Sequence, residues 1–225
     1  MIEPVRPEDH LSLADWRRQV ADLYAEVRRR GGSNPEDAWD YWKSTRGRLY
    51  TEHPQSPVPS PARAGFSNRY WPYDPALRFE VRVHGDDRLN TGPAAPVQLL
   101  VSAVKPATVA PLTSADLLMS TGDALSFARI GFVEIPFDTG IRQLSLFWMA
   151  GYAGGLFLPF RDATNGETTY GAGRYLLDTA KAADLGRGST GDGLILDFNF
   201  AFHPSCAFDP KWACPLAPPE NRLDI

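Results

Sequence analysis

Ten residues, L-I-L-D-F-N-F-A-F-H from Leu194 to His203, restrict the fold of this chain more than any others. Leu194, Leu196, Phe198, Phe200 and Phe202 alternate with Ile195, Asp197, Asn199, Ala201 and His203, which is the period of a strand. Five large apolar side chains on one face require a core. The opposite face is either solvated, as in much antiparallel sheet, or lines a pocket or barrel lumen. An open sheet would carry long charged side chains there. Asp, Asn and Ala are short instead, so Asp197 and Asn199 are expected to be buried against a ligand or ordered water. Residues two apart on a strand lie roughly 6–7 Å apart, so these two can touch one ligand, whereas His203 lies about 20 Å from Asp197 on a straight strand. Pro204 favours a bend directly after His203.

Upstream, F-L-P-F-R-D-A-T-N-G-E-T-T-Y-G-A-G-R-Y-L reads as a hairpin with Asn165-Gly166 at its tip. That pair suits a two-residue type I′ turn, in which both positions need φ > 0. The register would place Arg161, Ala163, Thr168 and Tyr170 on one face and Asp162, Thr164, Glu167 and Thr169 on the other. Gly171 and Gly173 signal a bulge or a close backbone approach, and a bulge would move Arg174 to the Asp162 face. A plain surface hairpin with a cross-strand ion pair is the simpler alternative.

Downstream the chain is rich in proline and holds both cysteines: H-P-S-C-A-F-D-P-K-W-A-C-P-L-A-P-P-E-N-R-L. Taken together, F-R-D-A-T-N-G-E-T-T-Y-G-A-G-R-Y-L, D-F-N-F-A-F-H-P-S-C-A-F and C-P-L-A-P-P-E-N-R-L resemble the bacterial and archaeal family known as domain of unknown function 1684. The resemblance is close from Gly154 to Leu223 and runs more loosely back through H-P-Q-S-P and Y-W-P-Y-D-P-A-L-R-F. The family brings no established activity with it. Its members often carry Asn or His where His203 stands.

The N-terminal part is helical. Ser12 is a candidate cap for a helix with Trp16, Val20, Leu23, Tyr24 and Val27 on one face, ended by Gly31-Gly32. Asn34 caps a second helix with Pro35, Glu36 and Asp37 in its first turn and Ala38, Trp42, Thr45 and Leu49 as its inner stripe. Residues 52–75 form a proline- and aromatic-rich connector. Strands follow at Leu77–His84, Val97–Val104 and Leu117–Ser120, and as a hairpin of Leu125–Phe137 and Ile141–Met149 around Asp138-Thr139-Gly140. The expected fold is mainly β (α+β): an antiparallel rolled sheet or β-barrel of about eight strands with two N-terminal helices packed on it. A two-layer sandwich is the alternative. Residues 1–51 then form the helical segment, 52–75 the connector, and 76–225 the barrel-like domain and its tail.

A formal net charge of −4 and the absence of a basic stripe argue against nucleic acid and anionic membrane as partners. No secretory signal or membrane-length apolar run is legible, so a cytoplasmic location with reduced thiols is expected. The favoured function is a β-barrel that binds a small polar molecule. Arg161 or Arg174 would pair an acidic group, with Tyr170, Asn199 and His203 as further contacts. In an enzyme built on the same pocket, Asp162 or Asp197 would act as general acid or base. A structural or partner-binding module is the third reading, in which Asn165, Gly166, Cys206, Cys214, Asn221 and Arg222 lock hairpin and tail together. A metal set of His203, Cys206 and Cys214 has unusual spacing, and a cysteine nucleophile lacks a visible orienting group, so neither is favoured. The sequence leaves the cofactor unknown.

Overall fold

The computed structural model describes residues 6–85, 115–118, 124–149, 154–189, 191 and 193–225. The chain opens with α1 (Pro7–Gly31), which begins before Ser12. Pro7 occupies the first turn with Glu8 and Asp9, and Asp9 Oδ2 accepts the Arg6 N–H at 3.3 Å. These residues satisfy the start of the helix, so Ser12 lies inside it. The second helix, α2 (Pro35–Glu52), has Asn34 as its cap, the side chain accepting the Asp37 N–H at 3.1 Å. Trp39 and Tyr50 are buried on α2 together with Ala38, Trp42 and Leu49.

Seven strands lie among the described residues: β1 (Arg78–His84), β2 (Ala115–Leu118), β3 (Ala124–Phe137), β4 (Gly140–Met149), β5 (Gly155–Phe160), β6 (Arg174–Asp178) and β7 (Gly193–Asp197). They form one antiparallel sheet in the order β6-β5-β4-β3-β1-β7, with β2 paired to β3. The expected strand at 97–104 lies outside the described residues. A bulge between Arg129 and Gly131 bends β3. A Cβ at Gly131 would sit 2.1 Å from the His84 carbonyl, so β1 can approach there only over a glycine. The sheet curls into a half-barrel. Its two ends meet beyond β7, where Tyr175 and Phe202 exchange backbone hydrogen bonds of 2.9 and 3.1 Å.

The strand expected to run straight from Leu194 to His203 stops at Asp197. Asp197 Oδ1 accepts the Asn199 N–H at 3.0 Å and turns Phe198–Phe200 into a 3-10 turn. The alternation therefore breaks, and the five apolar residues divide between two cores. Leu196 joins Val133, Ile135, Leu144, Leu146 and Leu158 inside the curl, with Leu194 and Phe198 packed beside them. Phe200 faces the helices instead, its ring 5.3 Å from that of Trp42. Phe202 packs against both the helical core and a small cluster of Phe127, Phe147, Phe157 and Tyr175.

The hairpin also takes another form. Ala182 is the one non-glycine residue with positive φ among those described, so Asn165 is not left-handed and the type I′ turn does not form. The Thr164 carbonyl instead accepts the N–H groups of Glu167, Thr168 and Thr169 at 3.0–3.2 Å, and residues 161–173 fold into a compact loop between β5 and β6. Side chains outcompete the two-residue turn: Asn165 Oδ1 takes the Asp162 N–H at 2.6 Å, and Asn165 Nδ2 reaches the Tyr170 carbonyl at 2.6 Å.

The tail is sewn to the sheet by Asn221, which has no exposed surface. Its Oδ1 accepts the Ser145 N–H at 2.7 Å, and its Nδ2 donates to the carbonyls of Ser145 and Pro159 at 2.9 and 2.7 Å. Replacing it with alanine would strand three buried backbone groups. Asn221→Ala is expected to lower stability by about 3 kcal/mol in urea unfolding. A variant within about 0.5 kcal/mol of the wild type would show that the tail is held by something else.

Candidate functional site

The motif residues separate into two polar clusters. The first is built on the 161–173 loop. Arg174, at the start of β6, donates Nη2 to Asp162 Oδ2, while Asp162 Oδ1 accepts the Thr164 N–H at 3.0 Å. Both carboxylate oxygens are thus occupied. The ion pair is nearly buried, with 11% of the Arg174 side chain and 13% of the Asp162 side chain exposed. The Nε of Arg174 is buried with no partner. Its guanidinium lies 4.9 Å from the Phe160 ring centre and 5.8 Å from that of Trp71, which is 56% exposed. Burial lowers the Arg174 pKa and the Asp162 charge works against that shift.

His203 borders the same cluster, just beyond the bridge at Phe202. The Tyr170 N–H points at its Nε2 at 3.4 Å, which leaves the ring proton on Nδ1. Burial, then the positive charges of Arg174 and Arg46, push the imidazole pKa down to about 4. Arg46 comes from α2. Its guanidinium lies 4.5 Å from the ring centre of Phe202, 4.8 Å from Tyr50 and 5.4 Å from Trp42, and it donates to the Tyr50 hydroxyl. No carboxylate among the described residues lies within ion-pair distance of it; burial works to lower its pKa, and the neighbouring tyrosines raise it. Arg46 from α2 and Arg174 from β6 thus both act on the neutral imidazole, and the exposed indole of the connector lies over Arg174.

The second cluster is separate. Asp197 is 2% exposed, with Oδ2 3.2 Å from the Tyr73 hydroxyl and 3.5 Å from Arg78 Nη1. Burial raises its pKa, and the Asn199, Arg78 and Tyr73 contacts oppose the rise. Asn199 clasps Asp74, accepting its N–H at 2.9 Å and donating to its carbonyl at 2.8 Å. The Asn199 carbonyl accepts the Trp39 indole N–H at 3.1 Å. Asp197 and Asn199 are thus joined to Arg78 and the Tyr73-Asp74 segment, and not to Arg174 or Arg161. The intervening connector residues link the clusters, with Trp71 over Arg174 and Tyr73 on Asp197.

The cysteines are buried thiols that form no disulfide. The Cys206 N–H donates to Cys214 Sγ at 3.3 Å. The side-chain bond with the Cys206 thiol, then burial, drive the Cys214 pKa up against the opposing effect of the Cys206 N–H, which disfavours a thiolate nucleophile. Among the described residues no three His, Cys, Asp or Glu side chains converge on a metal position, so His203, Cys206 and Cys214 do not make a ligand set. Two hollows lie elsewhere. One of about 530 Å³ lies between the helices and includes Asp15 and His53, and both nitrogens of His53 are engaged, Nδ1 by the Gln55 N–H and Nε2 by Asp15. The other, of about 200 Å³, lies behind β5 beside the Lys181–Asp178 ion pair.

A family model described as a protein of unknown function, DUF1684, matches residues 66–225. The chain belongs to the DUF1684 family. It is also similar to the solution NMR structure of an uncharacterised protein from Haloarcula marismortui, with 29% identity over 81% of this chain and 85% of that one, at a TM-score of 0.51. No curated protein matches the chain. No helix among the described residues is long and apolar enough to cross a membrane. Both polar clusters fall within the DUF1684 match except for Arg46 and Trp39, which α2 contributes from outside it.

Sequence reasoning missed Arg46, Trp71, Tyr73 and Arg78. Arg46 carried a signal, because it stands four residues from both Trp42 and Tyr50 on the inner face of α2, where an arginine needs a reason. Trp71 and Tyr73 are adjacent to Pro72 in an irregular segment, and no periodicity reveals which way such side chains point.

The imidazole makes a pH prediction. An ordinary histidine titrates near 6.5 and the folded His203 near 4. Between these values the unfolded chain takes up a proton that the native protein refuses, so stability falls as pH drops from 6.5 to 4. The full effect is on the order of 3 kcal/mol. His203→Asn keeps an acceptor for the Tyr170 N–H and removes the titration. Urea unfolding at pH 7, 5.5 and 4 is expected to show a shallower acid decline in this variant. Equal declines would place His203 outside the acid response.

Proposed function

We propose that the protein binds a small carboxylate or phosphate-bearing molecule in the seam between α2 and the sheet, at Arg174, Arg46, His203 and Trp71. The observation that carries this reading is a charge imbalance. Two guanidinia close enough to depress His203 have one carboxylate, Asp162, between them, and that carboxylate is fully used by Arg174 and Thr164. An uncompensated cation among aromatic rings is costly without an anion. Arginine forks suit carboxylate and phosphate oxygens, and the exposed Trp71 face suits the body of such a ligand.

In this reading Asp162 orients Arg174 while Asp197 and Asn199 hold the connector that carries Trp71. Tyr170 sets the His203 tautomer and leaves Nδ1–H as a donor. The curled sheet of an uncharacterised family is compatible with a binding fold. No step of chemistry is assigned to the site.

Thermal shift and calorimetry against a panel of small carboxylates and phosphates test the idea. At least one panel anion is expected to raise the melting temperature of the wild type. Arg46→Gln and Trp71→Ala are each expected to weaken its binding about tenfold or more, a loss of about 1.4 kcal/mol or more. The exposed Trp71 should be replaceable with little change in stability. The reading fails if no panel anion shifts the wild type, or if both variants bind as it does.

A further inference from the structure

A second pair of arginines meets where the tail joins β5. The chain just beyond β5 and the tail run parallel there, with the Arg161 N–H donating to the Asn221 carbonyl and the Leu223 N–H to the Arg161 carbonyl, both at 2.8 Å. The bridge pairs Arg161 with Arg222. Bridged residues on neighbouring extended segments lie about 5 Å apart and send their side chains to the same side. Two like charges directly opposite each other oppose that pairing. Neither guanidinium is within ion-pair or hydrogen-bond distance of any described residue. Burial, then the Arg222 charge, lowers the Arg161 pKa.

The Arg161 stem is held in place. Gly173 has φ +108°, and a Cβ there would lie 2.6 Å from the Phe160 carbonyl, 3.1 Å from the Ala217 Cβ and 3.3 Å from the Arg161 Cγ. The arginine thus lies across a glycine floor against the tail, with its Nε buried and unpartnered. Arg174 shares the face of Phe160, its cross-strand partner, and Arg161 follows Phe160 in the chain, so the two arginines project to opposite sides. The site is therefore distinct from the seam.

We propose that Arg161 and Arg222 form a binding site for a phosphate group, free or carried on a small metabolite. A dianion balances two guanidinium charges, and its oxygens can accept from the terminal N–H groups of Arg161 and from the exposed Arg222 fork. The glycine floor and the tail bridge preorganise the pair, so binding need order little but the Arg222 side chain.

Inorganic phosphate is the probe, titrated at constant ionic strength against chloride and followed by 31P line broadening and by melting temperature. The wild type is expected to broaden the phosphate signal and to melt higher with phosphate than with chloride. Arg222 is exposed, so Arg222→Gln should fold normally and weaken phosphate binding tenfold or more. Arg222→Glu should pair with Arg161, raise the melting temperature in chloride and abolish the phosphate response. Three outcomes would overturn the proposal: no broadening by the wild type, an undiminished response in Arg222→Gln, or a response lost in Arg46→Gln but kept in Arg222→Gln. The last would assign phosphate to the seam.

Discussion

The exchange of hydrogen bonds between Tyr175 and Phe202 governs this fold. An open sheet of six strands in sequence would have β6 and β7 as distant edges. Here the chain that leaves β7 comes back to β6, and the sheet has to roll for that contact to form. Rolling creates an inside and an outside. The inside fills with Val133, Ile135, Leu144, Leu146, Leu158 and Leu196. The outside then needs its own cover, which α1 and α2 supply. His203 is placed at the seam because it follows Phe202 directly. The 3-10 turn capped by Asp197 makes the return possible by changing the chain direction within a few residues.

Local pattern carried much of the architecture. The Asn34 cap, the β3–β4 turn at Asp138-Thr139 and the apolar stripe of α1 were legible because each rests on neighbours in sequence. The straight strand from Leu194 to His203 was not, because period-2 alternation looks the same in a strand and in an extended segment interrupted by a cap. The competing signal was Asp197 itself, two residues before Asn199, a spacing that lets a carboxylate bond the backbone ahead of it. Asn165-Gly166 failed for a related reason. The Asp and Asn side chains that mark turns also compete for the backbone groups that a two-residue hairpin would use.

Of the proposed binding residues, the loop brings Arg174 to Asp162 with His203 at its border, whereas the sequence named all three and left the face of Arg174 open. It also placed Asp197 and Asn199 with them, and those two lie instead with Arg78 and the connector. Cross-strand partners such as Arg78 are set by register over more than a hundred residues, which no local window contains. Arg46 was hidden for the same reason, since its surroundings come from the other end of the chain.

The helical core is shared property. Trp42 and Tyr50 from α2 pack with Phe200 and Phe208, which belong to the segment after β7. The region matched by the DUF1684 model begins at residue 66, beyond both helices. A polypeptide cut at that boundary would keep the motif and lose the wall against which Phe200 is buried, together with Arg46. The border drawn by recurrence in sequence thus cuts through a core that the packing holds together.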